Sequence, residues 1–300
     1  MALRNILAAV DVSAGPSRAL ARALIIANEQ GATLQVMDVG GHGPHRGPAD
    51  ASFKVQVATA IAALQPGRKP GGVHIEVIAE PARSAAHLAH AAGAQALIVM
   101  DRASSRRSAL RGGSLSERLL RLCDGPVLIT RSPVQGAYRR VLVAIDLTPV
   151  AQRLVSLAGR ISPLGAVEML HVIRPLHANP LRDAEVPERI LTAYVRRRRS
   201  EAYAHLLRLT EATQVCPTRV APIVREGDPA HHTALHQSHA NADLVVIGKR
   251  RRSAAGDLFL GGTAQRVLAW CGGDILVSPY DSADTQAASN RAAATQLRPS

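Results

Sequence analysis

The amino-acid sequence predicts an α/β protein: two tandem open α/β sandwiches in one chain. Three observations predict this. Short apolar runs recur: Ile6-Leu7-Ala8-Ala9-Val10-Asp11 returns as Val141-Leu142-Val143-Ala144-Ile145-Asp146, and Ala96-Leu97-Ile98-Val99-Met100-Asp101 returns as Asp243-Leu244-Val245-Val246-Ile247-Gly248. Gly113-Ser114-Leu115-Ser116-Glu117-Arg118 returns as Gly261-Gly262-Thr263-Ala264-Gln265-Arg266. The offset grows from 135 to 148 residues along the chain, a whole domain rather than a solenoid unit of about 20–50 residues. Second, the runs are almost wholly apolar and alternate with helical segments, the pattern of parallel strands buried on both faces. Third, 47% of residues are hydrophobic but only 2% are aromatic, so Ala, Leu, Val and Ile fill the core. Each half, at about 140 residues, is long enough to bury a core of its own.

In the first half, residues 4–10 read as a strand and Asp11 to Gly15 as a polar turn. Pro16 and Ser17 open a helix to about Gln30, because Pro suits the first helical turn, and Gly31 fits the cap after its end. Leu34–Val39 is the second strand, and the Gly/Pro-rich residues 40–50 are a loop. A helix over about 51–64, a loop at 65–72 and a strand over 73–79 follow. A helix over 82–92, a strand over 96–100, a helix over 114–122 and a strand at Val127–Thr130 complete the half. The second half repeats the order, with strands near 139–145, 166–172, 219–225, 243–247 and 275–278. Its helices lie near 149–161, 185–212, 229–239 and 262–270. The first domain is thus placed at residues 1–132, a linker with Pro133 and Gly136 at 133–138, and the second domain at 139–283. Residues 284–300 have no apolar periodicity and read as a disordered tail.

No apolar run approaches the roughly 18–20 residues needed to span a bilayer, and the N-terminal apolar stretch is interrupted by Asp11 with no cleavage site after it. The chain reads as cytoplasmic, with no membrane partner. Cys123, Cys216 and Cys271 are isolated and odd in number, so they offer neither a disulfide framework nor metal-ligand spacing. The net charge of +13 admits a polyanion partner or simply an Arg-rich genome. Two phenylalanines, four tyrosines and one tryptophan leave few stacking platforms and argue against nucleic acid. Arg196–Arg199 point all round a predicted helix and read as solvated. No nucleophile elbow, His-Glu-x-x-His or Walker lysine is present, so no catalytic residue and no metal site are assigned.

In open α/β sheets ligands bind beyond the carboxyl ends of the strands. Asp11, Asp101, Asp146 and Gly248 stand at such ends. With the strand-Asp start, the strand followed by a loop, and the Gly-(Ser/Thr) that opens a helix before a short apolar strand, the chain resembles the universal stress protein family in its tandem form. The resemblance covers residues 3–131 and 139–279. It implies a Rossmann-like, five-stranded, mainly parallel sheet in each domain and a pseudo-two-fold axis between them. It also implies intramolecular pairing of the domains, in which Val127–Ile129 meets Ile275–Val277. A homodimer of such chains is compatible with it, and the partner protein is left open.

ATP-binding members share Gly-x2-Gly-x9-Gly-(Ser/Thr), whose backbone N–H groups and helix N-terminus approach phosphate oxygens. The resemblance places Asp11 and Asp146 by adenine and ribose, and Val39 and Val172 in the segment lining the adenine pocket. The motif is broken in both halves. In the second, Gly248 and Gly261 match, but Arg251 stands for the second Gly and Gly262 for Ser/Thr, with Thr263 one place later. Lys249, Arg250, Arg251 and Arg252 could grip phosphates by side chain instead. In the first, Asp101 and Ser104 replace two glycines while Gly113 and Ser114 remain. The resemblance therefore implies a stress-response regulator or scaffold without turnover that binds ATP in the second domain by preference, with Mg²⁺ only alongside ATP. The alternatives are a scaffold that binds no nucleotide and a basic nucleic-acid-associated protein.

Overall fold

The computed structural model describes residues 3–11, 17–39, 50–64, 73–78, 80, 82, 84–93, 96–102, 114–174, 188–213, 215–250 and 262–280. In chain order the elements of the first repeat are β1 (Asn5–Val10), α1 (Arg18–Gln30), β2 (Thr33–Asp38), α2 (Asp50–Leu64), β3 (Ile75–Ile78), α3 (Ala85–Ala92), β4 (Leu97–Asp101), α4 (Leu115–Leu122) and β5 (Val127–Thr130). Those of the second are β6 (Arg140–Ile145), α5 (Val150–Ile161), β7 (Ala166–Ile173), α6 (Glu188–Ala212), β8 (Val220–Glu226), α7 (Pro229–His239), β9 (Leu244–Arg250), α8 (Gly262–Trp270) and β10 (Asp274–Tyr280). Each strand and helix expected from the sequence is present. Strand β9 runs past its expected end at Ile247 through Gly248 and Lys249 to Arg250. The expected tail at 284–300 lies outside the described residues.

The helix ends follow the local chemistry. Ser17 accepts a hydrogen bond from the Leu20 N–H and starts α1, and Gly31 ends it in the left-handed conformation, φ +60°. Asp228 caps α7, with Pro229 in its first turn. Apolar strands then bury both faces: Ile6, Leu7, Leu34, Leu97, Ile98 and Leu128 lose all or nearly all contact with solvent. Each such side chain contributes about 1.5–3 kcal/mol by transfer out of water.

The chain forms two compact units. The first unit contains α1 to α4 and the strands in the order β3-β2-β1-β4-β5-β10. Five of these strands run parallel, and β10 pairs antiparallel with β5, Ile275 opposite Ile129, Leu276 opposite Leu128 and Val277 opposite Val127. The pairing expected from the sequence is therefore formed. Among the described residues each repeat supplies five strands, but the last strand of the second repeat lies in the first unit up to Pro279. The second unit retains four parallel strands, β9-β6-β7-β8, with α5 to α8 and Tyr280.

In the first unit β10 brings a carboxylate to a buried cation. The Asp274 side chain is fully buried and Arg22 on α1 nearly so. Asp274 also accepts hydrogen bonds from the backbone N–H groups of Arg131 and Ser132, at 2.8 and 3.1 Å, and Arg22 donates to the Gly136 carbonyl at 2.6 Å. Among the described residues no helix is long and apolar enough to cross a membrane.

Candidate functional site

In the second unit the chain leaves β6 for β7 on one side and, after β8, crosses to β9 on the other. The carboxyl ends of β6 and β9 are thus the switch point, where two connections diverge and leave a crevice. A cavity of about 530 Å³ occupies this place, within the 300–1,000 Å³ range of small-molecule sites. It gathers Asp146 from the end of β6, Val172 from β7, Gly248 from β9 and Thr263 from the first turn of α8. These four were singled out from the sequence, and the fold brings them together.

Asp146 is exposed at the mouth, and the Thr148 hydroxyl donates to its Oδ1 at 2.6 Å. Helix α5 begins just beyond it at Val150, a cavity residue. The cap of that helix is Pro149, which makes no side-chain cap hydrogen bond. A helix N-terminus with no side-chain cap carries partial positive charge and favours an anion.

Three further cavity residues carried no motif. Tyr280, at the end of β10, lines the cavity. Burial holds its phenol above the ordinary tyrosine value, and the negative charge of Asp146 raises it further. Arg174 follows β7, and Arg198 reaches the cavity from α6. Arg198 was expected to be one of four solvated arginines. It is solvent-exposed but also stands 5.8 Å over the Tyr194 ring, a cation–π arrangement.

Gly248 has a packing reason of its own. A Cβ there would stand 2.9 Å from Tyr280 Cε1 and 3.2 Å from Leu154 Cδ1. Lys249 belongs to β9 rather than to a loop and is buried, outside the cavity lining. Gly262 opens α8 with open space beside it. Arg251 and Gly261 lie outside the described residues, as does Gly113 of the first unit.

The first-unit candidates are arranged differently. Asp11 follows β1, half-buried, and the Val39 N–H donates to the Val10 carbonyl at 2.9 Å. Ser114 is the cap of α4: its hydroxyl accepts from the Glu117 N–H while the Glu117 carboxylate accepts from the Ser114 N–H, a complete capping box. Asp101 is bound to the start of α1 rather than left facing a loop. Among the described residues no group of three or more His, Cys, Asp or Glu could hold a metal ion.

The sequence profile of the universal stress protein family matches residues 2–131 and again 137–279. Among solved structures, the chain is similar to a universal stress protein from Archaeoglobus fulgidus DSM 4304, with 19% identity and a TM-score of 0.62 over 93% of this chain and 97% of that one. It is also similar to a functionally unknown protein from Pseudomonas aeruginosa PAO1, with 18% identity and a TM-score of 0.58 over 96% of this chain and 98% of that one. No curated protein sequence matches the chain.

Proposed function

The chain belongs to the universal stress protein family, and from that premise we propose that its second unit binds an adenine nucleotide and acts as a regulator in a stress response rather than as an enzyme. The observation that carries this reading is the cavity at the β6/β9 switch point, where Asp146, Val172, Gly248 and Thr263 converge. Asp146 would accept from sugar hydroxyls or the base. The apolar wall with Val172 suits a flat heterocycle. The triphosphate would lie toward the N-termini of α5 and α8, with Arg174 and Arg198 as cations.

The residues fit phosphate in part. Tyr280 and Leu154 fill the space beside Gly248, so that glycine supplies shape more than a bare backbone cradle. Side-chain cations and helix ends would then do what an intact glycine loop does elsewhere in the family. Mg²⁺, if bound, would come with the nucleotide, since among the described residues Asp146 is the one carboxylate of the cavity lining. The reading of the first unit is structural: Ser114 and Asp101 are committed to capping.

Isothermal titration of the full chain with ATP tests the reading. One saturable equivalent is expected, weakened by Asp146→Ala. Absence of saturable binding at millimolar ATP would sink it and leave the scaffold as the function. The single tryptophan, Trp270, ends α8, whose first turn holds Thr263, so its emission gives an independent readout.

A further inference from the structure

Asp101 closes β4 and is, in register, the first unit's version of Gly248. Met100 lies opposite Ala9 of β1, as Ile247 lies opposite Ala144 of β6. The carboxylate is surrounded by donors. Its Oδ2 accepts from the Ser17 hydroxyl at 2.9 Å. Its Oδ1 accepts from the Thr130 hydroxyl at 2.7 Å and from the Ala19 N–H at 3.2 Å, and Arg18 Nε stands 3.5 Å away. Two hydroxyls, one backbone N–H in the first turn of a helix and a guanidinium are the donor set of an anion site.

The second unit differs in three respects. Gly248 has no carboxylate to offer. Pro149 gives α5 no side-chain cap. Four residues, 146–149, join β6 to α5, against seven, 11–17, between β1 and α1.

We infer that Asp101 is a built-in anion. It holds, from within the chain, a place between the end of β4 and the start of α1 where the surrounding donors would otherwise hold an external anion. In the second unit Tyr280 and Leu154 fill the space beside Gly248, and the ligand's anionic groups lie toward the helix N-termini instead. The first unit is therefore closed to outside anions there, and the chain takes one nucleotide rather than two. The statement about the second unit rests on the nucleotide reading above; the self-filled site in the first unit does not.

Removing the carboxylate should leave a hole that a small anion can fill. The test is thermal melting of the full-length chain carrying Asp101→Gly, in sodium formate or phosphate against sodium chloride at matched ionic strength. The variant should melt below the wild type and regain about 2–4 °C in formate beyond its value in chloride. The wild type should show no such difference, and Asp101→Asn, whose amide still fills the place, should gain nothing. If Asp101→Gly folds only when formate is present, that is the same supporting result. Equal melting in formate and chloride, or failure to fold in both, overturns the inference. ATP binding is titrated separately. Its absence in the wild type would sink the second-unit reading and leave the formate result standing.

Discussion

Arg22 Nε and Asp274 Oδ2 stand 3.4 Å apart in the first unit, with side-chain exposures of 5% and 0%. Ions so deeply buried lose their hydration, and each is tolerated because the other is there. Asp274→Ala would take a buried counter-charge away from the guanidinium and strip the acceptor from two backbone N–H groups. A loss of about 3–5 kcal/mol is expected, read as a lower midpoint in urea denaturation. A loss below about 1 kcal/mol, the value of an exposed pair, would contradict it.

Tyr280 gives the second unit an alkaline signature. Its phenol is raised in the folded state by burial and then by Asp146, so the folded chain holds this proton more tightly than the unfolded one. The stabilisation is full below the unfolded tyrosine value of about 10 and is lost as pH rises through the higher folded value. Tyr280→Phe should remove that fall from the stability curve. In absorbance titrations at the phenolate band, Asp146→Asn should shift the wild-type component attributable to Tyr280 downward.

Asp228 works at the opposite end of the scale. The His231 N–H it caps does most to hold its carboxyl below the usual value; burial opposes this, and the Arg266 guanidinium at 2.8 Å lowers it further. Its contribution is present above the unfolded aspartate value of about 4 and is lost as pH falls through the lower folded value. Asp228→Ala should cost about 1 kcal/mol at neutral pH. The gap to the wild type should narrow as pH drops below about 4, which acid-dependent melting would show.

Arg198 and Arg197 are neighbours with different surroundings. Arg198 borders the cavity, whereas Arg197 pairs with Glu201 on the exposed side of α6. Arg198→Gln should weaken ATP binding about tenfold, the loss of one charge-assisted contact. Arg197→Gln should leave it unchanged. Equal effects from both substitutions would mean that only general charge is sensed.

Ser114→Ala separates the two roles a serine at a helix start can have. Its capping box with Glu117 predicts a stability loss of about 1 kcal/mol. ATP stoichiometry and affinity should not change. A drop in nucleotide binding would instead return Ser114 to a ligand site.

The fold was legible because its signals are local. Apolar runs such as Leu142–Ile145 and helix-end residues such as Ser17 and Gly31 each specify an element without reference to distant residues. The strand ends were legible too: Asp146 and Gly248 stand out in the sequence as strand-end residues, Val172 follows from the family resemblance, and all three line the cavity. What escaped depends on residues far apart in sequence. Arg198 looked like one of four equivalent helix arginines, and nothing local tells which of four successive side chains meets a cavity. Tyr280 lies beyond every motif and reaches the cavity only because β10 ends there. Asp101 read as a damaged glycine position, since its donors Ser17 and Thr130 are 84 and 29 residues away.

The placement of β10 changes where the protein can be cut. Reading the repeats as separable halves suggests expressing residues 1–132 alone. That fragment would lack Ile275–Val277, the partners of β5, and would present a bare strand edge with unpaired N–H and C=O groups, a template for association with other chains. It would also retain the buried Arg22 while discarding Asp274. Gene fission at the linker is therefore not neutral for this protein: the amino-terminal piece depends on the last strand of the second repeat, and only co-expression or an appended copy of that strand should keep it monomeric.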